Sequence, residues 1–223
     1  MNFKRSILGI VDSILSRKRF YLMRSLVLRD KLKTLPNSLD YVRYFMLELC
    51  YEEIIANNVK GNTAELGVYK GDFSRQINYL FSDRKIYLFD TFKGFDTKDI
   101  RIDQENEFSY GNQDFSDTSV DAVMKKMPYP DNCIIKKGFF PETAFGISDS
   151  FCFVSIDADL FKPIYEGLNF FYPLLEKGGY IFVHDYNNNL YKGAKQAVLK
   201  FCKENNISFI PIPDTCGTVI ILK

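Results

Sequence analysis

The chain has 223 residues, enough for one domain with a full core but too few for two comfortable domains. Its formal net charge is +1, so the overall charge gives no support for a nucleic-acid partner. The five cysteines are dispersed without a CxxC pair, which favours reduced thiols in a cytoplasm over a disulfide framework. A single histidine excludes a metal site built from several histidines.

Residues 1–37 are predicted to form a basic amphipathic helical arm. Apolar side chains recur at helical spacing from Ile7 to Leu15, and Lys and Arg far outnumber Asp in this stretch. The arm either packs on the body or on the second subunit of a homodimer, or lies on an anionic membrane surface. No apolar run reaches the about 20 residues of a membrane span. Because Asp12 interrupts the apolar part, we expect no export signal.

Residues 38–223 are predicted to form the second part of the chain, an α/β domain. Pro36 marks a break, and Asn37 or Ser38 is expected to cap a helix that continues to Asn58. From there short apolar runs alternate with helical patterns, which is typical of a parallel sheet. The predicted strands are TAELGV, KIYLFD, CIIKK, FCFVSID and GYIFVHD, and the predicted helices cover 72–81, 117–127, 164–176 and 192–205.

The C-terminal part departs from this alternation. Two further strand patterns, ISFIPIP and GTVIILK, are separated only by a turn, so they must be antiparallel. Pro211 and Pro213 place the first of them at or near a sheet edge. The polar connection over residues 93–116 is long for a compact domain, and we interpret it as a lid over the site. The fold class is thus a mostly parallel seven-stranded α/β sheet with an antiparallel C-terminal hairpin.

Ionisable side chains, four acidic and one histidine, follow the predicted strands at the points where the strands end. They are Glu65, Asp90, Asp157 and the pair His184 and Asp185. In an open parallel sheet ligands bind outside the carboxyl ends of the strands, where the strand order reverses. We therefore expect these side chains to lie together at one edge of the sheet.

The first strand ends in the loop ELGVYKG, which has glycines at positions 67 and 71. A dinucleotide pyrophosphate loop requires GxGxxG, and Glu65 stands where its first glycine would be, which argues against NAD. A loop with one carboxylate and two glycines better suits a ligand that ends in an amino acid. Asp90, at the end of the second strand, is expected to accept hydrogen bonds from ribose hydroxyls.

Carboxylates that converge at one sheet end repel each other, which raises a pKa or requires a cation. Asp157 and Asp185 are assigned to such a site, and a divalent ion would resolve the repulsion. Asp159 is assigned instead to capping the following helix, ahead of Pro163.

Several short motifs, in this order and spacing, resemble the macrocin O-methyltransferase family, whose members methylate sugar hydroxyls with S-adenosylmethionine. The motifs are AELGVYKGDFS, YLFDTFKGF, KKGFFPET, SIDADLF and YPLLEKGGYIFVHDY. The resemblance extends from about residue 38 to the C-terminus. It implies a class I methyltransferase fold of the Rossmann type with helices on both faces of the sheet.

The resemblance also implies roles for individual residues. The cofactor S-adenosylmethionine would be bound by residues of the first two strand ends and by the first aspartate of the DADL motif, namely Glu65, Gly67, Tyr69, Gly71, Asp90, Thr91 and Asp157. The family's Mg²⁺ ligands fall on Asp157, His184 and Asp185, where His184 replaces an aspartate. Because Mg²⁺ prefers oxygen ligands, three alternatives remain: Mg²⁺ on the two aspartates and water, a softer ion such as Mn²⁺, or His184 as a base without a metal.

A bound cation would lower the pKa of the sugar hydroxyl, and Asp157 or His184 would take its proton. The chain lacks the [DN]PP[YF] motif of methyltransferases that act on amines. We therefore expect a small-molecule or glycan acceptor, such as a nucleotide sugar, and no nucleic acid. The alternatives are a non-sugar hydroxyl and a non-catalytic binding module. The expected location is the cytoplasm, at the inner face of the membrane if the arm binds there.

Overall fold

The computed structural model describes residues 40–223. The predicted arm over residues 1–37 lies outside the described residues. The first described helix, α1, spans Tyr41–Ala56, and Asp40 occupies its N-cap position without a side-chain capping bond. The predicted capping residues, Asn37 and Ser38, lie outside the described residues, and Asp40 holds the N-cap position of the helix.

Seven strands form one sheet, and their bounds are β1 Asn62–Leu66, β2 Ile86–Asp90, β3 Cys133–Lys137, β4 Phe151–Ile156, β5 Leu175–Val183, β6 Ile210–Ile212 and β7 Thr218–Leu222. The strand order is β3-β2-β1-β4-β5-β7-β6. Only β7 runs antiparallel to its neighbours β5 and β6. This confirms the predicted mostly parallel sheet with an antiparallel C-terminal hairpin and places the proline-containing β6 at the edge. The order reverses between β1 and β4.

Five further helices surround the sheet: α2 Asp72–Leu80, α3 Thr97–Glu105, α4 Val120–Met124, α5 Phe161–Leu174 and α6 Lys192–Asn205. Short 3-10 turns lie at Pro130–Asn132 and Glu142–Ala144. Helix α3 falls inside the polar connection over residues 93–116, which the sequence analysis interprets as a lid and where it predicts no helix. The helix was missed because its sequence, TKDIRIDQE, carries no broad apolar stripe. None of the helices within residues 40–223 is long and apolar enough to span a membrane.

The core has one part on each face of the sheet, and in both parts the largest fully buried side chains are phenylalanine rings. One part packs residues of α5 and α6 against the sheet, with Phe89, Phe151 and Phe171 fully buried. The other packs α1, α2 and α4 against the opposite face, with Phe81 and Phe153 fully buried. The high Phe content is therefore mostly core.

A register shift in β4 decides which side chains face α1. The pairing of β4 with β1 and with β5 shifts next to Phe153. After the shift the side chains alternate, so Val154 and Ile156 join the α5 and α6 side. Phe153 and Ser155 point to the α1 side, and the period of two directs Asp157 the same way.

The residues that follow β1 and β4 lie close together at Gly67. The amide of Asp157 donates to the carbonyl of Leu66 at 2.8 Å, and the amide of Gly67 donates to Phe89 of β2 at 2.9 Å. Gly67 has a φ of 89°, and a Cβ atom at this position would overlap the carbonyl oxygen of Asp157. Only glycine satisfies both conditions, so this residue fixes the distance between the two strand ends.

We expect Gly67→Ala to lower the free energy of unfolding by about 3 kcal/mol, because backbone strain adds to a collision with the Asp157 carbonyl. Gly146→Ala is the matched control: its φ is 78°, but a Cβ atom there meets nothing within 4 Å. The control should cost only about 1 kcal/mol. Urea denaturation of both variants measures the difference. Equal losses would show that the approach at Gly67 is not tight.

Candidate functional site

Glu65 of β1 is buried below the loop that leads into α2. It is 1% exposed and accepts hydrogen bonds from the hydroxyls of Ser74 and Ser155. Burial raises the pKa of Glu65 to about 8, although the Ser74 hydrogen bond and the Arg43 guanidinium act in the opposite direction. The carboxyl group is thus mostly protonated at neutral pH, and a ligand cation brought next to it would favour its ionised form.

Contacts of Tyr69 and Gly71 hold the loop that follows β1 in shape. Tyr69 has a φ of 47°, and its hydroxyl donates to Asp117 at 2.6 Å while its ring packs edge-on against Phe115. Gly71 is the N-cap of α2, and a Cβ atom there would lie 2.9 Å from Val123. Both residues therefore help to shape the loop, and Tyr69 also lines the cavity described below.

Asp90 holds the same loop from the second strand. Its carboxylate accepts from the backbone amides of Val68 and Tyr69, each at 2.8 Å, and of Phe92 at 2.7 Å. A carboxylate offers about four lone-pair sites, so about one is left for a ribose hydroxyl. The hydroxyl of Thr91 donates to the carbonyl of Gly94 at 2.6 Å and closes the next turn. Sequence reasoning did not anticipate that Asp90 would have this structural function.

The structure brings Asp157, His184 and Asp185 together at the ends of β4 and β5. The Nδ1 atom of His184 lies 3.1 Å from Oδ1 of Asp157 and 3.1 Å from Oδ2 of Asp185. Its other ring nitrogen, Nε2, lies 3.7 Å from Oδ2 of Asp40. The second oxygen of Asp185 accepts from the side chain of Asn188 at 2.9 Å.

The charges in this cluster fix its protonation. Burial favours a higher pKa for Asp157, but the charges of His184 and Arg43 outweigh it and hold the pKa well below its usual range. Burial disfavours a charged His184, but the charge of Asp157 and the hydrogen bonds to Asp157 and Asp185 together outweigh it and raise the pKa of His184 to about 12. At neutral pH the imidazole is therefore protonated. An imidazolium cannot take a proton, so the base role that the sequence suggested for His184 requires its neutral form and stays a prediction.

Sequence reasoning missed Arg43 and Asp40, which both reach the cluster from the start of α1. Arg43 is 4% exposed; its Nη1 donates to Oδ2 of Asp157 at 2.8 Å and its Nη2 to Ser155 at 3.0 Å. Its guanidinium lies 3.9 Å from the ring centroid of Phe73. A basic residue in a helix is usually solvent-exposed. One signal in the sequence could have pointed to Arg43 and Asp40. The alternation of side chains along a β-strand places several polar residues on the sheet face that this helix covers, and those residues need polar partners.

Asp159 does not cap helix α5, contrary to the prediction. The N-cap position belongs to Leu160, without a side-chain bond, and Asp159 itself has a φ of 57°. Burial, together with the nearby Asp185 and Asp157, raises the pKa of Asp159 well above its usual range. Asp159 lines the cavity described below.

The donor set does not fit the predicted Mg²⁺ site on Asp157, His184 and Asp185. Mg²⁺ binds oxygen atoms at about 2.0–2.1 Å. Here a ring nitrogen lies between the two carboxylates, and Arg43 contacts the other oxygen of Asp157. For Mn²⁺ the Arg43 contact leaves the same single oxygen of Asp157. Cys216 lies close to His184 and Asp185, and burial raises the pKa of its thiol.

One cavity of about 570 Å³ joins the loop after β1 to this cluster. Glu65, Gly67 and Asp90 line it, and so do Asp157 and His184. The polar residues predicted from separate strand ends thus share a single cavity at the point where the strand order reverses. Its size is that of a small-molecule or cofactor site.

Comparisons with known proteins agree with this geometry. The family model of macrocin O-methyltransferase (TylF) matches residues 40–217. No curated protein matches the chain. Among solved structures, the O-methyltransferase NovP is 23% identical with a TM-score of 0.65, over 81% of this chain and 79% of that chain.

Two further structures share the fold. CalS11, described as a TDP-rhamnose 3'-O-methyltransferase of calicheamicin biosynthesis, is 16% identical with a TM-score of 0.58, over 82% of this chain and 79% of that chain. SMU.1697c from Streptococcus mutans, a methyltransferase solved with S-adenosylhomocysteine (SAH), is 14% identical with a TM-score of 0.51, over 79% of this chain and 97% of that chain. These likenesses show the class I methyltransferase fold. Because the family model covers most of the described residues, the chain belongs to the macrocin O-methyltransferase family and is an S-adenosylmethionine-dependent O-methyltransferase.

Proposed function

We propose that this enzyme methylates a hydroxyl group of a sugar, in a glycan or nucleotide-sugar precursor. The observation that carries the proposal is the continuous cavity that joins the loop after β1 to the carboxylate of Asp157. A cofactor bound at the loop would direct its methyl group toward that carboxylate. The sugar acceptor is supported by the family, and the structurally similar CalS11 is described as a TDP-rhamnose 3'-O-methyltransferase.

The cofactor is proposed to bind along the ends of β1 and β2. Its α-ammonium group would lie next to Glu65, where a positive charge favours ionisation of the buried carboxyl group. Gly67 lets the backbone follow the amino-acid part closely, and Tyr69 and Gly71 hold the loop in shape. The free lone pair of Asp90 would accept from a ribose hydroxyl next to Thr91.

The sulfonium methyl group is already electrophilic, so the protein mainly has to align the acceptor oxygen, the methyl carbon and the sulfur. The acceptor oxygen forms a bond to carbon while the carbon–sulfur bond breaks, and the electron pair of that bond stays on sulfur. The immediate products are neutral SAH and an oxygen that carries a methyl group, a proton and a positive charge. This protonated ether is a strong acid.

Asp157 is proposed to take that proton. It is the most exposed member of the cluster, with 25% of its side chain accessible, whereas Asp185 has 7%. Its low pKa makes it a weak base but keeps it ionised, and a weak base suffices for a strongly acidic oxygen. His184 and Arg43 would hold the carboxylate in position. No step requires a divalent ion.

The acceptor class is tested with labelled S-adenosylmethionine and a panel of sugar nucleotides, free sugars and phenolic alcohols. We expect label to be transferred to a sugar nucleotide or glycan, with little transfer to phenols, because the family and CalS11 indicate a sugar. Mass spectrometry of the product identifies the methylated hydroxyl. Transfer to phenols alone would refute the sugar acceptor.

We expect Asp157→Asn to lower kcat by about 10²–10⁴-fold, because the proton acceptor is lost. SAH affinity, measured by calorimetry, should change much less because the loop after β1 stays intact. Asp131→Asn, at an exposed turn residue, serves as the matched control and should keep the wild-type rate. An Asp157→Asn enzyme that keeps the wild-type rate would exclude Asp157 as the proton acceptor.

The affinity for S-adenosylmethionine should rise with pH up to about 8, because the ammonium group requires an ionised Glu65 and the free enzyme holds the Glu65 proton below that pH. The rise is at most about 10-fold per pH unit for one proton. Glu65→Gln should bind more weakly and lose this part of the pH dependence. Calorimetry from about pH 6 to about pH 8.5, a range that brackets this pKa, measures both. An exposed control, Glu107→Gln, should keep the wild-type slope, and a slope retained in Glu65→Gln would contradict the assignment.

A further inference from the structure

His184 occupies the place where the family resemblance implies a metal-binding aspartate, and its contacts are those of a hydrogen-bond donor. Its Nδ1 atom lies 3.1 Å from one oxygen of Asp157 and from one oxygen of Asp185. A ring nitrogen with a bare lone pair would repel both oxygens, whereas a nitrogen that carries a proton attracts both. Its Nε2 atom also faces a carboxylate, that of Asp40, at 3.7 Å. Nδ1 therefore carries a proton, and the three carboxylates close to the ring favour its cationic form.

Arg43 provides a second cation on the opposite side of Asp157. One guanidinium nitrogen donates to Oδ2 of Asp157 at 2.8 Å, and another donates to Ser155 at 3.0 Å. The group is buried and stacked on Phe73, so it cannot swing out easily. Each oxygen of Asp157 consequently faces a different cationic side chain.

These two side chains carry the charge that a divalent ion would otherwise bring. The carboxylates of Asp40, Asp157 and Asp185 meet two fixed positive charges that come from different elements, one from α1 and one from the end of β5. An ion shared by Asp157 and Asp185 would have to lie within about 2.0–2.1 Å of their oxygens. The ring nitrogen of His184 already lies between them.

We propose that His184 and Arg43 replace the divalent metal of this family, so that the enzyme positions Asp157 and transfers the methyl group without a metal ion. The inference rests on the proposed function for the role of Asp157, but the replacement itself is a statement about ion binding. His184 and Arg43 act as positioning residues. The sulfonium donor makes this feasible, since the acceptor attacks an activated carbon and does not have to become an alkoxide first.

Ion binding by the wild-type enzyme is the primary test. Purified enzyme is dialysed against EDTA, saturated with SAH and titrated with Mn²⁺ while the signal of free Mn²⁺ is followed by electron paramagnetic resonance. Calorimetry with Mg²⁺ and Zn²⁺ runs in parallel, and Zn²⁺ is included because Cys216 lies beside His184 and Asp185. We expect no stoichiometric binding of any ion at millimolar concentration. Stoichiometric binding that Asp157→Asn abolishes would overturn the proposal.

His184→Asp tests the cause, since it restores the carboxylate that the family resemblance implies at this position. We expect it to bind Mn²⁺ at least about 10-fold more tightly than His184→Asn, which has nearly the same size without the charge. Equal affinities in the two folded variants would show that His184 does not exclude the ion. If either variant fails to fold, the wild-type titration still tests whether the enzyme binds an ion.

Activity gives an independent readout. On an acceptor that is turned over, EDTA should leave the wild-type rate within about twofold, and EDTA-sensitive turnover that Mg²⁺ restores would overturn the proposal. An enzyme that accepts no sugar but also binds no ion would refute the proposed function while supporting the metal replacement. The two failures are thus distinguishable.

Discussion

The site depends on the double ion pairing of Asp157. A carboxylate at the end of a buried strand is costly unless charges and hydrogen bonds compensate it. Asp157 obtains both from Arg43 and His184, at 2.8 Å and 3.1 Å. Its backbone is fixed as well, because its amide bonds to Leu66 and its carbonyl lies against Gly67. The same residue therefore joins the two strands at the reversal of strand order and provides the charge of the cavity.

The pairing also explains why helix α1 belongs to the methyltransferase domain. Arg43 and Asp40 lie at its beginning, and its apolar residues pack on the same sheet face as Phe153. Without α1 one oxygen of Asp157 would lose its guanidinium, and Glu65 would lose the positive charge that partly offsets its burial. The family match begins at residue 40, at the start of this helix. The contact between Arg43 and Asp157 thus joins α1 to the candidate site.

Much of this fold follows from sequence, because strands in a parallel sheet are short apolar runs and their ends collect polar residues. The strand patterns located five of the seven strands to within about two residues, whereas β5 begins four residues before its predicted start and β6 three residues after its own. The same patterns placed the polar residues at one edge of the sheet. Helix α3 was missed because its sequence is polar and its order depends on packing and capping. The contact between Arg43 and Asp157 joins residues far apart in sequence, and no local pattern encodes it. The three backbone hydrogen bonds of Asp90 likewise depend on the loop geometry, which only the folded chain defines.

A resident cation and a bound metal stabilise a carboxylate cluster in different ways. A metal ion is a Lewis acid that can polarise the acceptor hydroxyl, whereas an imidazolium and a guanidinium direct N–H groups along fixed lines and cannot dissociate. The second arrangement loses Lewis acidity but gains a cluster that is already assembled before the acceptor arrives. For a nucleophile that attacks a sulfonium methyl group, the hydroxyl oxygen needs orientation more than it needs deprotonation, because its proton becomes acidic only as the new bond forms. Replacement of one aspartate by His184 is therefore compatible with methyl transfer, provided that Arg43 completes the charge balance.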